Sequence, residues 1–396
     1  MDPCEFAPLS TQAALSELAI QAGRAGSAVH TALADGLAPG SGLQPWAIAQ
    51  MLAQFARGWR PNRLRRAVAF ARAAGARRAV AEVAVIAPAN VPAAAWQAVL
   101  EPLLAGSRVR VRPSRREPRA VYNLVRALQI VAPDLAERCL ISQPTSPHAT
   151  DWQTWLAGVA TLTAQGSDAA MRAVAEVART AGFAGTLRLH GEMRSLAVID
   201  AAAWRAHGPR LARQLAADAL EVDGRGCMSL RTVCWLGFGP AELAEAHALL
   251  ARALAELARH WPAGGSTDTG LAARTYQLQT LQAVAAVGAP LHLSARSDGW
   301  LATAGDRAAL AGVWPGPGGR CLVGLSFADS ADLRSTLEDW RGQISTAATT
   351  LIGRDRAQLK DWLGGPRLCR PGQMQAPRPD QVHDGWAPLQ GFYMSD

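Results

Sequence analysis

The sequence predicts an α/β protein built on parallel β-sheets. From residue 81 onward, short β-branched runs alternate with helical stretches, and that alternation is typical of βαβ units. Parallel sheets wound in this way bind ligands at the carboxyl ends of their strands. Strands are predicted at Ala81–Ile86, Arg108–Arg112, Cys139–Ser142, Val159–Ala164, Thr186–Leu189, Leu230–Leu236 and Cys321–Phe327. Helices are predicted at Ala93–Leu104, Pro118–Ile130, Trp152–Leu156, Asp168–Ala181, Ala201–Leu220, Leu243–Trp261 and Asp329–Trp340.

The length indicates more than one domain, because 396 residues exceed what a single hydrophobic core usually organises. We expect an N-terminal part over 1–193, whose first 80 residues read as helical, and a second α/β part over 194–363. Residues 262–320 are interrupted by glycine and proline. The tail over 364–396 reads as loop, which we expect to pack back or to bridge to a neighbouring chain.

Composition excludes several classes of protein. Hydrophobic residues make up 49% and charged residues 18% of the chain, as in ordinary globular proteins. The most apolar stretch, Val83–Leu104, is broken by prolines and Glu101, so we expect no membrane span. No secretory leader is visible. The six cysteines lack the paired spacing of zinc ligands or disulfide scaffolds, which favours a metal-free protein of the reducing cytoplasm.

The net charge of +8 does not by itself indicate nucleic-acid binding. Arginines are dispersed through an alanine-rich sequence, and no recognised nucleic-acid motif accompanies them. Lys360 is the only lysine. Schiff-base chemistry would therefore have to depend on that one residue, in the charged helical stretch Gly353–Trp362.

A cysteine lies in a glycine-rich turn between a predicted helix and a predicted strand. Gly224 and Gly226 flank the turn before Cys227 and allow close approach of a ligand or of another backbone segment. A thiol presented in this way can act as a nucleophile. The alternative is a small buried hydrophobe, which is the commoner role of a free cysteine.

Five short blocks follow one another along the chain. They are Ile86–Pro92 with its Pro-x-Asn-x-Pro core, Gly106–Arg115, Thr163–Ser167, Leu187–Glu192 and the Cys227 turn. A closing segment over Cys369–Pro377, followed by His383-Asp384-Gly385, completes the pattern. The order resembles the aldehyde dehydrogenase superfamily and, within it, the bacterial luminescence-type (LuxC-like) acyl-CoA reductases. The resemblance implies a Rossmann-type cofactor domain and a catalytic α/β domain.

The resemblance also implies roles for individual residues. Cys227 falls on the family's nucleophile, and Asn90 on the asparagine whose side chain donates to the oxyanion at the reacting carbonyl. Gly166 and Ser167 fall where a glycine and a helix N-terminus face the cofactor's pyrophosphate. Without the resemblance, Asn90 would be read as an ordinary turn asparagine between two prolines.

The second block departs from the family in a way that bears on the cofactor. Where the family has Lys-Pro-Ser-Glu against the adenosine ribose, this chain has Arg112, Pro113, Ser114 and Arg115. A carboxylate there repels a 2′-phosphate, whereas a guanidinium can bind it in a forked pair. NADPH is therefore expected, and NADH is less favoured. The alternative is that these arginines form a solvated strand edge.

The fourth block lacks the general base of the oxidising enzymes. Without gaps, that glutamate aligns with Arg188; Glu192, after a shift, and His190 are the remaining candidates. An oxidising enzyme needs a base to activate water, but a reductase of thioesters does not. The departure therefore favours thioester reduction.

The sequence thus predicts NADPH-dependent reduction of an acyl thioester to an aldehyde through a Cys227 thioester. The expected partners are an acyl-CoA or acyl carrier protein and an acyl-transferring protein, and the chain could form a homo-oligomer. Two alternatives remain open: an aldehyde-oxidising dehydrogenase that uses Glu192 or His190 as base, and a non-catalytic or acyl-transferring relative that retains the fold.

Overall fold

The computed structural model describes residues 6–144, 148–265, 268–288, 290–310, 313–314, 316–376 and 378–395. The chain divides into two compact units. The first comprises the residues up to Ser41, Ile48–Glu192 and Ala376–Asp396, and the second comprises Gly42–Ala47 and Met193–Gln375. The C-terminal tail is therefore divided between the two units after Gln375.

The first unit contains a five-stranded, fully parallel sheet in the order β4-β3-β2-β5-β6. Its strands are β2 (Glu82–Ile86), β3 (Arg108–Arg112), β4 (Cys139–Ile141), β5 (Thr161–Gln165) and β6 (Thr186–His190). A short antiparallel pair, β1 (Arg78–Ala79) with β14 (Tyr393–Met394), ties the C-terminus to this unit. The strand order reverses at β2, and ligands of wound sheets bind at such a reversal.

The helices that lie wholly or mostly in this unit are α1 (Leu9–Ala22), α2 (Ala28–Ala34), α3 (Leu37–Ser41), α4 (Pro45–Gly58), α5 (Pro61–Ala73), α6 (Pro92–Ala105), α7 (Arg119–Val131), α8 (Pro133–Ala136), α9 (Ala149–Leu156) and α10 (Asp168–Thr180). α6 packs on β2 and β3, and α10 packs on β5 and β6. Pro92 begins α6, and Gly106 ends it with a φ of 114°, a left-handed conformation that glycine tolerates.

The second unit contains a seven-stranded sheet in the order β13-β12-β7-β8-β11-β10-β9. Its strands are β7 (Arg194–Asp200), β8 (Thr232–Leu236), β9 (Leu291–Arg296), β10 (Gly299–Ala304), β11 (Leu322–Phe327), β12 (Ile344–Thr349) and β13 (Arg367–Cys369). All neighbours are parallel except the β9–β10 hairpin. Its helices are α11 (Ala201–Leu220), α12 (Pro240–His260), α13 (Asp268–Ala286), α14 (Ser330–Leu337) and α15 (Gly353–Trp362).

The predicted α/β class is confirmed, and the predicted Ala201–Leu220 helix forms α11 with a kink inside it. The helix kinks at His207, whose φ is −142°, directly before Gly208 and Pro209. A proline removes one helical hydrogen bond and clashes with the preceding turn, which accounts for the kink. Among the described residues, no helix is both long and apolar enough to cross a bilayer.

The structure adds regular elements where the sequence suggested interruptions or loop. The 262–320 region contains α13 and the β9–β10 hairpin, and the tail contains β13 and β14. In 262–320, Gly264 and Gly288 flank α13 rather than interrupt it. The prediction of loop for the tail was wrong at β13 and β14, which pair with the remote strands β12 and β1.

Candidate active site

A strained turn in the second unit leads into Cys227. Val222, Asp223 and Gly224 have successive positive φ angles of 47°, 57° and 65°. A β-branched residue rarely adopts that conformation, so surrounding contacts must hold Val222 there. A Cβ on Gly224 would lie 2.7 Å from the Arg320 backbone nitrogen, and only glycine fits. The Arg320 side chain also donates to Asp223 at 3.0 Å.

The Cys227 side chain is half-buried beside the amino-terminal ends of β7 and β12. The Ser195 hydroxyl donates to the Cys227 carbonyl oxygen at 2.7 Å, and the Ser345 hydroxyl donates to Cys227 Sγ at 3.8 Å. Ser195 Oγ also accepts the Thr346 N–H at 3.2 Å. Two adjacent strands therefore fix the backbone of the cysteine and supply a hydrogen-bond donor to its sulfur.

Buried Ser229 closes the turn on its other side. Its hydroxyl oxygen accepts the Gly226 N–H at 3.1 Å and the Gln375 side-chain amide at 2.7 Å. Gln375 also donates to the Asp218 carbonyl at 3.4 Å. The turn that carries Cys227 is thus tied to a residue of the C-terminal segment.

The Asp218 carboxylate fastens that segment. Its two oxygens accept the N–H groups of Gly372 at 2.6 Å and Met374 at 2.9 Å. Burial raises the pKa of Asp218 to about 8. Arg367 donates to the Met374 carbonyl at 2.6 Å, so the segment beside the cysteine turn has several independent anchors.

The other described cysteines are poor nucleophiles at neutral pH. Burial raises the thiol pKa of both Cys321 and Cys369 to about 11. Burial also raises the pKa of Cys234, which lies on β8 with no exposed surface, and raises that of Cys139 to about 12. A buried thiol remains protonated, because the charged form would lose its hydration.

The carboxyl edge of the first unit's sheet carries the residues expected to bind the cofactor. Arg112 is the last residue of β3, and its guanidinium lies over the Trp152 ring at 5.4 Å from the centroid. Burial and then the charge of exposed Arg115 lower the Arg112 pKa. Ser114 Oγ accepts the Arg116 N–H at 3.1 Å and so fixes the turn between them.

These two arginines present uncompensated positive charge. Among the described residues, neither Arg112 nor Arg115 has a carboxylate within 4.0 Å. Arg112 is half-buried and Arg115 is exposed. An anion at this edge would therefore meet two guanidinium groups that no acidic residue neutralises.

The Gly166–Ser167 turn follows the neighbouring strand β5. Ser167 caps α10 by accepting the Ala170 N–H at 3.3 Å, and the Gly166 N–H donates to the His190 carbonyl at 3.1 Å. The Asp168 carboxylate turns aside to accept the Glu192 N–H at 2.7 Å. The positive end of the helix dipole thus points out at the same edge as Arg112.

Asn90 lies in the loop after β2, between buried Pro88 and the first residue of α6, Pro92. Its side chain is exposed. Because β2 is flanked by β3 and β5, the loop shares the carboxyl edge with Arg112 and Gly166. Asn90 belongs to the first unit and Cys227 to the second, and the oxyanion role of Asn90 stays a prediction.

Arg188, which the resemblance aligns with the general base of the oxidising enzymes, faces inward. The side chain is 2% exposed and pairs with Glu101 Oε2 at 2.9 Å. Its guanidinium lies 4.5 Å from the centroid of Phe392 in the tail. Burial, the largest single influence, would raise the Glu101 pKa, but the Arg188 charge acts together with His383, His190 and a hydrogen bond from Gln97 to hold that pKa below its usual value. The residue is part of a buried ion pair.

The two remaining candidate bases have different surroundings. His190 is buried, and its Nδ1 lies 3.2 Å from Asp384 Oδ2. Burial lowers its pKa to about 4 although Asp384 opposes the shift, so the ring is neutral at pH 7. Glu192 is exposed, and within the described parts of the chain its carboxylate has no hydrogen-bond or ion-pair partner. Neither role as base is tested by this geometry.

His190, His383 and Asp384 form a compact polar cluster. His383 stacks on His190 with ring centroids 4.6 Å apart, and His383 Nε2 lies 3.4 Å from Asp384 Oδ2. One ligand atom from each residue falls within 4.8 Å of the others. The set could hold a metal ion, and the contacts to Asp384 Oδ2 equally serve to anchor the tail. The sequence spacing, from which we predicted no metal site, does not indicate this cluster.

Several residues of the site escaped prediction. Ser195 and Ser345 reach Cys227 from strands far apart in the sequence, and no local motif marks them. Gln375 lies in the closing segment that resembles the luminescence-type reductases, but nothing in the sequence indicates its contact with Ser229. Glu101 lies in the apolar helix α6. A glutamate in such a helix is seldom buried without a charged partner, and this was the one sequence feature that could have indicated its pairing with Arg188.

Solved structures similar to this one include several named as aldehyde dehydrogenases. An NAD-dependent benzaldehyde dehydrogenase from Corynebacterium glutamicum matches with a TM-score of 0.68 at 15% identity, over 98% of this chain and 83% of that chain. A methylmalonate-semialdehyde dehydrogenase from Oceanimonas doudoroffii matches with a TM-score of 0.62 at 15% identity, over 98% of this chain and 84% of that chain. The putative aldehyde dehydrogenase PutA from Anabaena variabilis matches with a TM-score of 0.59 at 17% identity, over 98% of this chain and 86% of that chain. These likenesses establish the aldehyde dehydrogenase fold.

No curated protein matches the sequence. The model of the family described as acyl-CoA reductase (LuxC) matches residues 61–395, which is most of the chain. The resemblance inferred from the five blocks is therefore confirmed, and with it the expectation of an oxidoreductase. The chain belongs to the acyl-CoA reductase (LuxC) family.

Proposed function

We propose that this protein reduces an acyl thioester to an aldehyde with NADPH, through a thioester on Cys227. The observation that carries the proposal is the setting of that cysteine. Its turn is locked by Ser195 and Ser229, and Ser345 donates to its sulfur. The other described cysteines are kept protonated by burial. Membership in the acyl-CoA reductase family supports the direction of the reaction.

The covalent steps use groups of the chain itself. The Cys227 thiolate attacks the thioester carbonyl carbon and forms a new C–S bond. Asn90 and the Cys227 backbone N–H are the proposed donors to the resulting oxyanion. Collapse breaks the original C–S bond, and the departing thiolate takes a proton from solvent. The enzyme then holds the acyl group as a thioester.

The carboxyl edge of the first unit fits a phosphorylated nicotinamide nucleotide. Arg112 and Arg115 offer unneutralised positive charge, and the Gly166–Ser167 turn offers a helix N-terminus for the pyrophosphate. When bound, reduced nicotinamide supplies the hydride that converts the acyl-enzyme into an aldehyde and frees Cys227. Arg115, where a carboxylate would repel a 2′-phosphate, favours NADPH over NADH.

The absence of an acidic residue at position 188 supports reduction over oxidation. Hydrolysis of an acyl-enzyme to an acid needs a base that activates water. Arg188 cannot serve, because it is positively charged and buried in its pair with Glu101. An oxidising enzyme would have to rely on exposed Glu192 or on buried His190. A non-catalytic relative would have no use for the retained set of Cys227, Asn90 and the Gly166–Ser167 turn.

The test combines kinetics with mass spectrometry. Purified protein is mixed with acyl-CoA or acyl carrier protein of several chain lengths, and NADPH absorbance is followed. Intact-mass spectra taken without NADPH should show one acyl adduct. Cys227→Ala should lose both the adduct and turnover, whereas the matched Cys139→Ala variant should keep both. An adduct that persists on Cys227→Ala contradicts the assignment of the nucleophile.

A further inference from the structure

A cavity lies entirely within the second unit. Its volume is about 870 Å³, within the range of sites for cofactor-sized ligands. The C-terminal part of α12, the loop after it, α13 and the end of β9 form its walls. None of the residues assigned above to catalysis or to nucleotide binding lines it.

The walls carry an excess of positive charge. Arg252, Arg259, Arg274 and Arg296 line the cavity, against the carboxylates of Glu256 and Asp298. Asp298 is already engaged by Arg296 at 3.0 Å and by Arg320. Within the described residues, exposed Arg252 and Arg259 have no acidic partner within 4.0 Å. The cavity therefore suits a ligand with several negative charges.

Arg296 has an unsatisfied donor on the cavity wall. Its Nε donates to Asp298 at 3.0 Å and its Nη2 to the Arg320 carbonyl at 3.0 Å. The Nη1 group is buried and has no acceptor among the described residues. A buried cationic N–H without an acceptor is costly, and an anionic oxygen bound beside it would supply one.

The cavity wall is connected to the turn that carries the nucleophile. The Gly264 N–H donates to Asp223 Oδ2 at 3.1 Å, and Arg225 donates to the Gly265 carbonyl at 2.8 Å. Asp223 and Arg225 lie four and two residues before Cys227, in the same turn. The loop at the mouth of the cavity is thus hydrogen-bonded to the segment that positions the thiol.

We infer that this cavity binds the 3′-phospho-ADP part of coenzyme A, the carrier of the acyl group. The inference deepens the proposed function and rests on it, because the flexible pantetheine arm would then lead from the cavity to Cys227. Three phosphate groups match the surplus of arginine, and the volume fits a nucleotide. A carrier protein would instead need a broad outer surface, so coenzyme A is the occupant that the volume and the arginine lining favour.

A binding experiment tests the cavity without requiring activity. Adenosine 3′,5′-bisphosphate is titrated into the protein by calorimetry at fixed ionic strength. Arg252→Ala and Arg259→Ala should each weaken binding by about three- to tenfold, and Arg213→Ala, an exposed arginine on α11 outside the cavity, should not. The 2′,5′-bisphosphate, which shares the chemistry of NADPH, should respond to Arg115→Glu and not to the cavity variants. Equal sensitivity of both ligands to the cavity variants overturns the inference.

Kinetics separate this inference from the proposed function. The cavity variants should raise the KM for acyl-CoA and leave kcat/KM for the same acyl group on pantetheine unchanged. If the protein reduces acyl-CoA but the variants behave like wild type, the cavity assignment fails and the function stands. If no acyl thioester is reduced, the function fails, and the bisphosphate titration still decides the cavity. The assignment is also overturned if the cavity variants lose activity with acyl carrier protein substrates and keep it with acyl-CoA.

Discussion

Replacing Arg115 tests the nucleotide preference most directly. The guanidinium is exposed beside half-buried Arg112, and no described carboxylate lies within 4.0 Å of either. A charge-assisted hydrogen bond contributes about 1.5–3 kcal/mol, and exposure places Arg115 toward the lower part of that range. NADPH should therefore bind about tenfold to a hundredfold more tightly than NADH. Arg115→Glu should abolish or invert that preference, because a carboxylate would repel the 2′-phosphate.

The assay is titration calorimetry of both nucleotides at low and at moderate salt. Arg115→Ala should remove the attraction without adding repulsion, so its NADPH affinity should fall between wild type and Arg115→Glu. Arg65→Glu makes the same charge change at an exposed site on α5 and serves as the matched control. The wild-type preference should shrink as salt screens the phosphate contact. Equal affinity of wild type for NADPH and NADH would refute the reasoning and leave Arg115 a solvated surface charge.

Three further predictions concern the oxyanion, the buried ion pair and the buried histidine. Asn90→Ala should lower turnover about a hundredfold with little change in nucleotide affinity; an unchanged turnover number would remove Asn90 from the mechanism. Arg188→Met should destabilise the protein by about 3–5 kcal/mol in urea unfolding, because it leaves the Glu101 charge buried and unpaired. Adding Glu101→Leu should recover most of that loss, and additive effects would contradict the pairing. Because the His190 pKa is lowered to about 4 in the folded protein, the unfolded chain takes up the proton first as pH falls below about 6.5. Stability should thus fall by about 3 kcal/mol between pH 6.5 and 4, and His190→Gln should flatten this dependence in thermal unfolding.

Local patterns predicted the elements that form the edge of the first unit's sheet. β2 and β3 have β-branched residues at buried positions, and α6 begins at a proline and ends at a glycine. Each signal lies within a few residues of the element that it specifies. The order of the strands in the sheet depends on contacts between remote segments, which no local pattern encodes. Only the family resemblance gave an expectation for the arrangement of the domains.

Two of the missed elements, β12 and α13, lacked such local signals. β12 is buried at every position, yet its sequence, Ile344-Ser-Thr-Ala-Ala-Thr349, is rich in small and hydroxyl-bearing residues and poor in large apolar ones. α13 has apolar residues on more than one face, so no clear amphipathic period marks it. Burial by neighbours, rather than intrinsic preference, determines the structure of such segments.

The parts of the site that depend on the chemistry of a single residue could be predicted from the sequence. The parts in which a contacting residue sets the orientation or the pKa of a side chain could not. Cys227 and Arg112 stand in recognisable motifs. The inward orientation of Arg188 depends on Glu101, and the low pKa of His190 depends on burial near Asp384. These partners lie on other elements, so no spacing in the sequence could indicate them.

Arg188 contributes to two features of the protein: the anchoring of the C-terminal tail and the direction of the proposed reaction. Arg188 pairs with Glu101 and lies over Phe392, so it joins the sheet to the C-terminal segment. In the proposed alignment, the same residue stands where the oxidising enzymes have the carboxylate that activates water. An acyl-enzyme without that base should hydrolyse slowly, because thioesters need an activated water for rapid attack. A long-lived acyl-enzyme would be an advantage in the proposed reduction, since the acyl group would have to persist on Cys227 until reduced nucleotide is bound.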